Sequence, residues 1–515
     1  MAPNPLKIAF VAALGAFMEV LDMSIANVSL PHIAGDLSAG TNEVSYTLTA
    51  YLVTNAIVMP ITGWLSAVFG RRNLYLFCIV GFTVSSLLCG LAPNLATLVV
   101  LRAIQGACGG GLQPTAQAIM MDAFPPAKQG TAMGLYGLAA IFAPAVGPTL
   151  GGVITDHFSW RWVFLINVPV GILVFFLIAV LVRDPPHMTA ERQRMRAIGK
   201  RLSFDGLGFA LVSISIGCLQ YVLDRGEIED WFGSSLIAGL ACLSATAFVL
   251  LIAWELICDA PIINLRLFRH RSFAISVFLM LMIGAMLTGS TYLIPMFVQT
   301  LMGYTATDAG LVMTPGGFAI MLSMPLIGAF VPRVDLRVMI LLGLVVMGLA
   351  TLHMTGFYLD VDYGTIAMAR VYQGLGFALL FIPINALAFF DVPDRERNNA
   401  SGLLNVARNL GGSIGVSTVV TIVARREQFH QTMLVSTLTP DNRPFQDFLA
   451  GARQVLAGAA QFGHEQADMT LTVLYQQVHL QARMLGYIDT LKLFSVFFFC
   501  LCPLLFFIKR GRVRK

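Results

Sequence analysis

Ile8–Leu30 reads IAFVAALGAFMEVLDMSIANVSL, 23 residues in which Glu19 and Asp22 are the only charges. As a helix rising about 1.5 Å per residue it reaches ~34 Å, enough to cross a hydrocarbon layer roughly 30 Å thick. In lipid the backbone polar groups must be satisfied within the element itself, so the run is a helix and not a strand. It is longer than the apolar core of a cleavable signal, about 7–15 residues. It reads as a retained first span.

Such runs recur along the whole chain. Of its 515 residues 57% are hydrophobic and 12% charged, with mean hydropathy +0.76. A water-facing domain carries about 25% charged residues, so most of this surface faces something apolar. Fourteen spans are expected, at 8–30, 45–69, 74–93, 96–121, 131–155, 163–182, 204–223, 234–257, 272–299, 308–330, 336–357, 365–390, 400–424 and 490–508. Turn formers such as Pro93-Asn94, Pro125-Pro126 and Pro185-Pro186 separate them. The fold class is an all-α polytopic membrane protein.

Lys and Arg orient it, because cytoplasmic loops carry the excess of both. With the N-terminus inside, Arg71, Arg72, Lys128, Arg266, Arg269 and Arg271 fall on the cytoplasmic side. So do the basic loop 183–203 and the tail 509–515, which places both termini in the cytoplasm. The opposite loops carry acids instead: Asp36, Glu43, Glu227, Glu229, Asp230, Asp360 and Asp362. These basic clusters hold topology and do not imply nucleic acid as a partner. One external segment, 425–489, is long, polar and rich in Gln and Ala, compatible with one or two amphipathic helices. It is either a surface cap or a docking face for another protein. The eight cysteines lie in or beside apolar segments without metal-ligand spacing, so no metal or cofactor is expected.

A pattern repeats at nearly constant offset. Arg102-x-x-Gln105-Gly106 returns as Arg370-x-x-Gln373-Gly374, 268 residues on, and Gly147-x-x-x-Gly151 returns as Gly411-x-x-x-Gly415, 264 on. Gly63 matches Gly328 at 265. The expected plan is a six-helix bundle over 1–182, an inserted pair over 204–257, and a second bundle over 258–424 and 490–508.

Three motifs carry a family likeness. Gly63-Trp64-Leu65-Ser66-Ala67-Val68-Phe69-Gly70-Arg71-Arg72 follows span two, Arg102-Ala103-Ile104-Gln105-Gly106 lies on span four, and Ala143-Pro144-Ala145-Val146-Gly147-Pro148-Thr149-Leu150-Gly151-Gly152 on span five. With Leu21–Val28 and Trp160–Gly171, they resemble the fourteen-span drug:proton antiporters of the major facilitator superfamily. That family's pattern has Asp where this chain has Ala67. The resemblance implies two six-helix bundles facing a central substrate site. It also implies export of lipophilic small molecules against protons across the inner membrane, and work with a periplasmic adaptor and an outer-membrane channel.

Ionisable groups inside a bilayer cost roughly 2.5–3.5 kcal/mol each and so default to functional candidates. Counted at about 1.5 Å per residue, Asp22 and Arg102 both lie roughly 10 Å below the outer face. A carboxylate beside a guanidinium stays ionised, whereas one that is separated and desolvated takes a proton. The pair is either a proton-coupling site or a static structural contact. Glu19 and Gln105 lie one turn further in on the same faces, and Asn27 belongs to the same string as Asp22. The part of span nine that repeats Asp22, Ala285–Gly289, has no acid, so proton chemistry is expected in the first half only.

The loop and span-five motifs supply candidate gating or packing residues: Gly63, Gly70, Arg71, Arg72, Pro144, Gly147, Pro148, Gly151 and Gly152. Ala139, Ala143, Gly147 and Gly151 form one flat face, suited either to plain packing or to a surface on which the halves rock. Candidate substrate contacts are Tyr51, Asn55, Gln113, Tyr292, Gln299, Phe381 and Asn385. No triad, zinc motif, P-loop or dinucleotide fingerprint points to an enzyme. The expected function is proton-coupled export; the alternative is import or exchange of a metabolite or fatty acid.

Overall fold

A computed structural model describes residues 4–125, 128–184, 205–258, 261–393, 396–439, 441–456 and 463–507. Most of the basic loop 183–203, and all of the tail 509–515, lie outside the described residues. The described residues are predominantly helical, without strands. Thirteen helices are long and apolar enough to cross a membrane, and a bent pair at Thr131–Pro144 and Val146–His157 makes a fourteenth. Span one is Pro5–Val28, two Tyr46–Phe69, three Arg71–Gly90, four Leu95–Ala123 and six Arg161–Leu181. Seven is Gly206–Arg225, eight Ser235–Ile257, nine Arg271–Leu301, ten Ala306–Phe330, eleven Leu336–Met354 and twelve Tyr363–Phe389.

Side chains close the helix ends where the chain leaves the apolar layer. Asn4, Asn94, Asp205, Asp335 and Asp362 each accept a backbone N–H of the first turn, and Thr305 with Asp308 forms a reciprocal capping box.

The repeated glycines do the same work in both halves. A Cβ at Gly147 or Gly151 would run into Ser24 and Ile25 of span one, and one at Gly411 or Gly415 into Leu281 and Ala285 of span nine. Without Cβ atoms the helix backbones approach closely. Span five shows how its prolines are tolerated. Pro148 has no N–H to offer the Pro144 carbonyl, and the Ser24 hydroxyl donates to that carbonyl at 3.4 Å.

Ala143, Gly147 and Gly151 therefore belong to packing within the first half. The seam with the second half runs along other residues of span five. Gly134 and Gly137 lie against Met324 of span ten, Thr149 against Gly310, and Gly152 against Thr307. The inserted pair stands beside this seam. Span seven presses Gly217 onto Val53 and Ile57 of span two, while Gln220 donates to Ser413 of span thirteen at 2.7 Å.

Span thirteen belongs to a helix of 41 residues, Arg397–Thr437, and span fourteen to one of 39, Gly463–Leu501. At 1.5 Å per residue each is about 60 Å long, twice the hydrocarbon thickness. The polar stretch after span thirteen is thus largely a continuation of two membrane helices, paired by Arg426–Asp489 at 2.5 Å, His430–Asp489 at 2.8 Å and Arg483–Glu427 at 3.0 Å. A short amphipathic helix, Arg443–Leu456, lies between them.

Candidate functional site

Asp22 has no exposed surface, and neither has Arg102. The Arg102 guanidinium donates to Asp22 Oδ2 at 2.6 Å. The other carboxylate oxygen, Oδ1, accepts from Gln105 Nε2 at 3.0 Å and from Asn167 Nδ2 at 2.6 Å. Four helices position the cluster. Gly106 brings span four against span two, since a Cβ there would meet the Tyr51 carbonyl. Span six breaks at Ile166, so that Asn167 starts a fresh helix with its side chain turned inward. Asn167 also donates to Ser86 Oγ at 3.0 Å, and Ser86 donates to the Phe164 carbonyl at 2.8 Å. Both carboxylate oxygens are thus engaged by donors.

Tyr51 joins this cluster to a second. Its ring lies 4.2 Å from the Arg102 guanidinium carbon, and its hydroxyl donates to Glu19 at 3.1 Å. Glu19 also accepts from Asn55 at 3.0 Å and from Gln113. The Gln113 carbonyl oxygen in turn accepts from Arg408 of span thirteen, which belongs to the other half. One amide therefore touches a buried acid in one bundle and a guanidinium in the other.

Deeper along span four the seam stays polar. Gln117 donates to Asn385 at 2.7 Å and accepts from Ser401 at 2.6 Å and Asn405 at 2.8 Å. Tyr136 donates to Asn405 at 2.8 Å and stacks on Phe381 at 6.2 Å.

Contacts between the halves are found at both ends of this belt. At the end near Arg71, Asp122 binds the buried Arg71 of its own half and lies 3.6 Å from Arg397 of the other. Gly63 sits so close to Asn399 that a Cβ would overlap its side chain. Gly70 adopts φ +94° as the loop turns into span three, a region that favours glycine. Arg72 donates to the Ala179 carbonyl at 2.6 Å, and its N–H to Asp184 at 2.9 Å. At the opposite end Thr307 donates to Asp156 at 3.2 Å.

This helical fold recurs among solved structures. The proton:xylose symporter XylE bound to a bromodeoxyglucose superposes with TM-score 0.60, covering 97% of this chain and 96% of that one at 15% identity. The sequence profile of the Major Facilitator Superfamily matches residues 12–416. The chain belongs to the major facilitator superfamily. Within that superfamily it is similar to the multidrug export protein EmrB of Haemophilus influenzae, 33% identical over 504 residues, covering 96% of this chain and 94% of that protein. It is equally similar to the fatty acid resistance protein FarB of Neisseria gonorrhoeae, 33% identical over 496 residues with the same coverage.

Of the residues singled out in the sequence of this superfamily member, Asp22, Arg102 and Gln105 meet in one cluster. Glu19, Tyr51, Asn55 and Gln113 meet in the next, and Phe381 and Asn385 lie on the seam beside it. Asn27 is exposed at the end of span one and touches neither cluster; five residues on from Asp22, it points to another face. Tyr292 is partly buried on span nine, and Gln299 is exposed at that span's end. Asn167, Gln117, Tyr136, Ser401, Asn405 and Arg408 were not among the candidates. Asn167 could have been found as the one amide inside the apolar run Val163–Val170.

Proposed function

We propose that this chain is a proton-coupled antiporter that exports lipophilic small molecules by alternating access. The observation that carries the reading is the fully buried Asp22–Arg102 pair, its carboxylate held by donors from two helices, spans four and six. Paired, the carboxylate lies directly against the guanidinium. Any rearrangement that draws Arg102 away leaves it desolvated and favours a proton. Such an acid loads and unloads one proton per cycle if the two states face opposite sides. The Glu19–Gln113–Arg408 chain gives the rearrangement a path to the second half, because opening the seam there must break contacts to Gln113.

The energetics suffice. One charge moving through 100 mV yields about 2.3 kcal/mol, and about 1.4 kcal/mol is a tenfold ratio, so one proton sustains roughly a fifty-fold gradient. The proline–glycine run on span five and the likeness to EmrB support export. Transport of a fatty acid is the second reading, supported by the likeness to FarB.

The basic loops favour cytoplasmic termini and residence in the inner membrane. In that orientation the paired helices beyond residue 425 stand in the periplasm, where they offer a docking face for an adaptor (EmrA-like) leading to an outer-membrane channel. Deleting 440–480 should then abolish co-purification with the adaptor while leaving the spans folded; undiminished association excludes this face.

Two measurements test the main reading. A pump-deficient strain expressing the chain should gain resistance to lipophilic compounds. Everted vesicles from it should accumulate such a compound when acidified inside. Accumulation unaffected by an uncoupler overturns proton coupling.

A further inference from the structure

Arg370 of span twelve repeats Arg102 of span four, each followed at the third position by glutamine and then by glycine. The surroundings do not repeat. Where Arg102 faces Asp22, the matching stretch Ala285–Gly289 of span nine has no acid, and Gly289 packs against Gly415 and the Phe494 ring. Among the described residues Arg370 has no ion pair, although it is only 4% exposed. Its side-chain partner is Gln373, whose Oε1 accepts from the guanidinium. That bond fixes the amide, so its nitrogen faces elsewhere. Among the described residues, neither Arg370 Nε nor Gln373 Nε2, both buried N–H groups, has an acceptor.

An uncompensated charge at this depth is costly. A residue such as Met would fill the space without the penalty. The outstanding groups are all donors, three residues apart on one helical face. What they lack is an acceptor, and next to a guanidinium the acceptor that fits is an anion of planar, two-oxygen geometry. The flanking side chains on the same helix, Ile366, Ala369 and Phe377, are buried and apolar.

We propose that Arg370 and Gln373 form an anion-binding subsite in the second half, taking the carboxylate of a lipophilic weak acid whose hydrocarbon part lies among these apolar side chains. The proposal rests on the transport reading only in that such an acid would be cargo. The two halves then divide the labour: an acid neutralised by an arginine in the first, an arginine neutralised by the cargo in the second.

The test uses the full chain in zwitterionic lipid nanodiscs, with empty discs as blank and decanoate as probe at a pH that ionises it. Wild type should bind decanoate more tightly than decanol. Arg370→Met should weaken decanoate about 10- to 100-fold, the worth of a hydrogen bond to a charged group, and leave decanol unchanged. Arg370→Lys should retain part of the preference, and Gln373→Leu should lose part of it. Ligand-free Arg370→Met should melt no lower than wild type, because it sheds an unpaired charge.

Equal decanoate affinity in wild type and Arg370→Met, absence of decanoate binding in wild type, or a marked fall in the melting point of ligand-free Arg370→Met each overturns the subsite. The last outcome makes Arg370 a structural residue. Decanoate binding that depends on Arg370, in a protein that fails to move any compound against protons, would keep the subsite and remove the antiport reading.

Discussion

Asn167 and Gln105 donate to the same oxygen of Asp22, Oδ1, and leave Oδ2 to Arg102. The carboxylate is held from spans four and six at once. A hydrogen bond to a charged group contributes about 1.5–3 kcal/mol. Asn167→Leu should therefore lower the thermal stability of the purified protein by an amount in that range. Ser86→Ala, which touches Asn167 but not Asp22, should cost less. Equal losses would mean that Asn167 serves helix packing and not the carboxylate.

How far the sequence reaches depends on what fixes each feature. The spans, the acids inside them and the repeated Arg-x-x-Gln-Gly are local patterns, legible from hydropathy and spacing alone. Depth counted along two helices put Asp22 and Arg102 at one level, because 1.5 Å per residue is a property of the helix and not of the fold. Which face of span one meets which neighbour is tertiary. Asn27 shares a string with Asp22 but not its face, and the Gly147–Gly151 face packs inside the first half instead of along the seam. The polar belt of Gln117, Ser401 and Asn405 was hidden for the same reason. Single amides and hydroxyls in apolar runs look alike until the two bundles are brought together.

At one end of the seam, Gly63 and Asn399 are in closest approach. Gly63→Ala should hold the halves apart there and cut transport strongly without unfolding either bundle. The double variant Gly63→Ala/Asn399→Gly should recover much of the loss, since it removes the side chain the new methyl would strike. Lack of recovery would place the glycine's role in span two itself.

Asp122 stands between Arg71 and Arg397 at the same end. Removing one member of a buried ion pair typically costs about 3–5 kcal/mol. Asp122→Ala should bias the protein toward opening at this end, read as faster reaction of a cysteine placed at position 402 with a reagent supplied from that side. Arg397→Ala should do the same more weakly, because its contact is longer and Arg71 keeps the carboxylate.

Gln113 is the amide shared by Glu19 and Arg408. Gln113→Leu removes that link between the halves and leaves Asp22 and Arg102 untouched. Proton-driven efflux should fall while equilibrium binding of the transported compound changes less. A variant that loses binding in step with efflux would instead make Gln113 a substrate contact.

In the proposed mechanism Asp22 takes up and releases the proton that drives export. The most direct measurement of this is efflux from proteoliposomes of wild type and Asp22→Asn, with and without an imposed proton gradient, alongside equilibrium binding of the same compound. Asp22→Asn should bind the compound and exchange it down its gradient but no longer concentrate it when protons are supplied. Concentrative, gradient-dependent transport by Asp22→Asn at the wild-type level would contradict the mechanism.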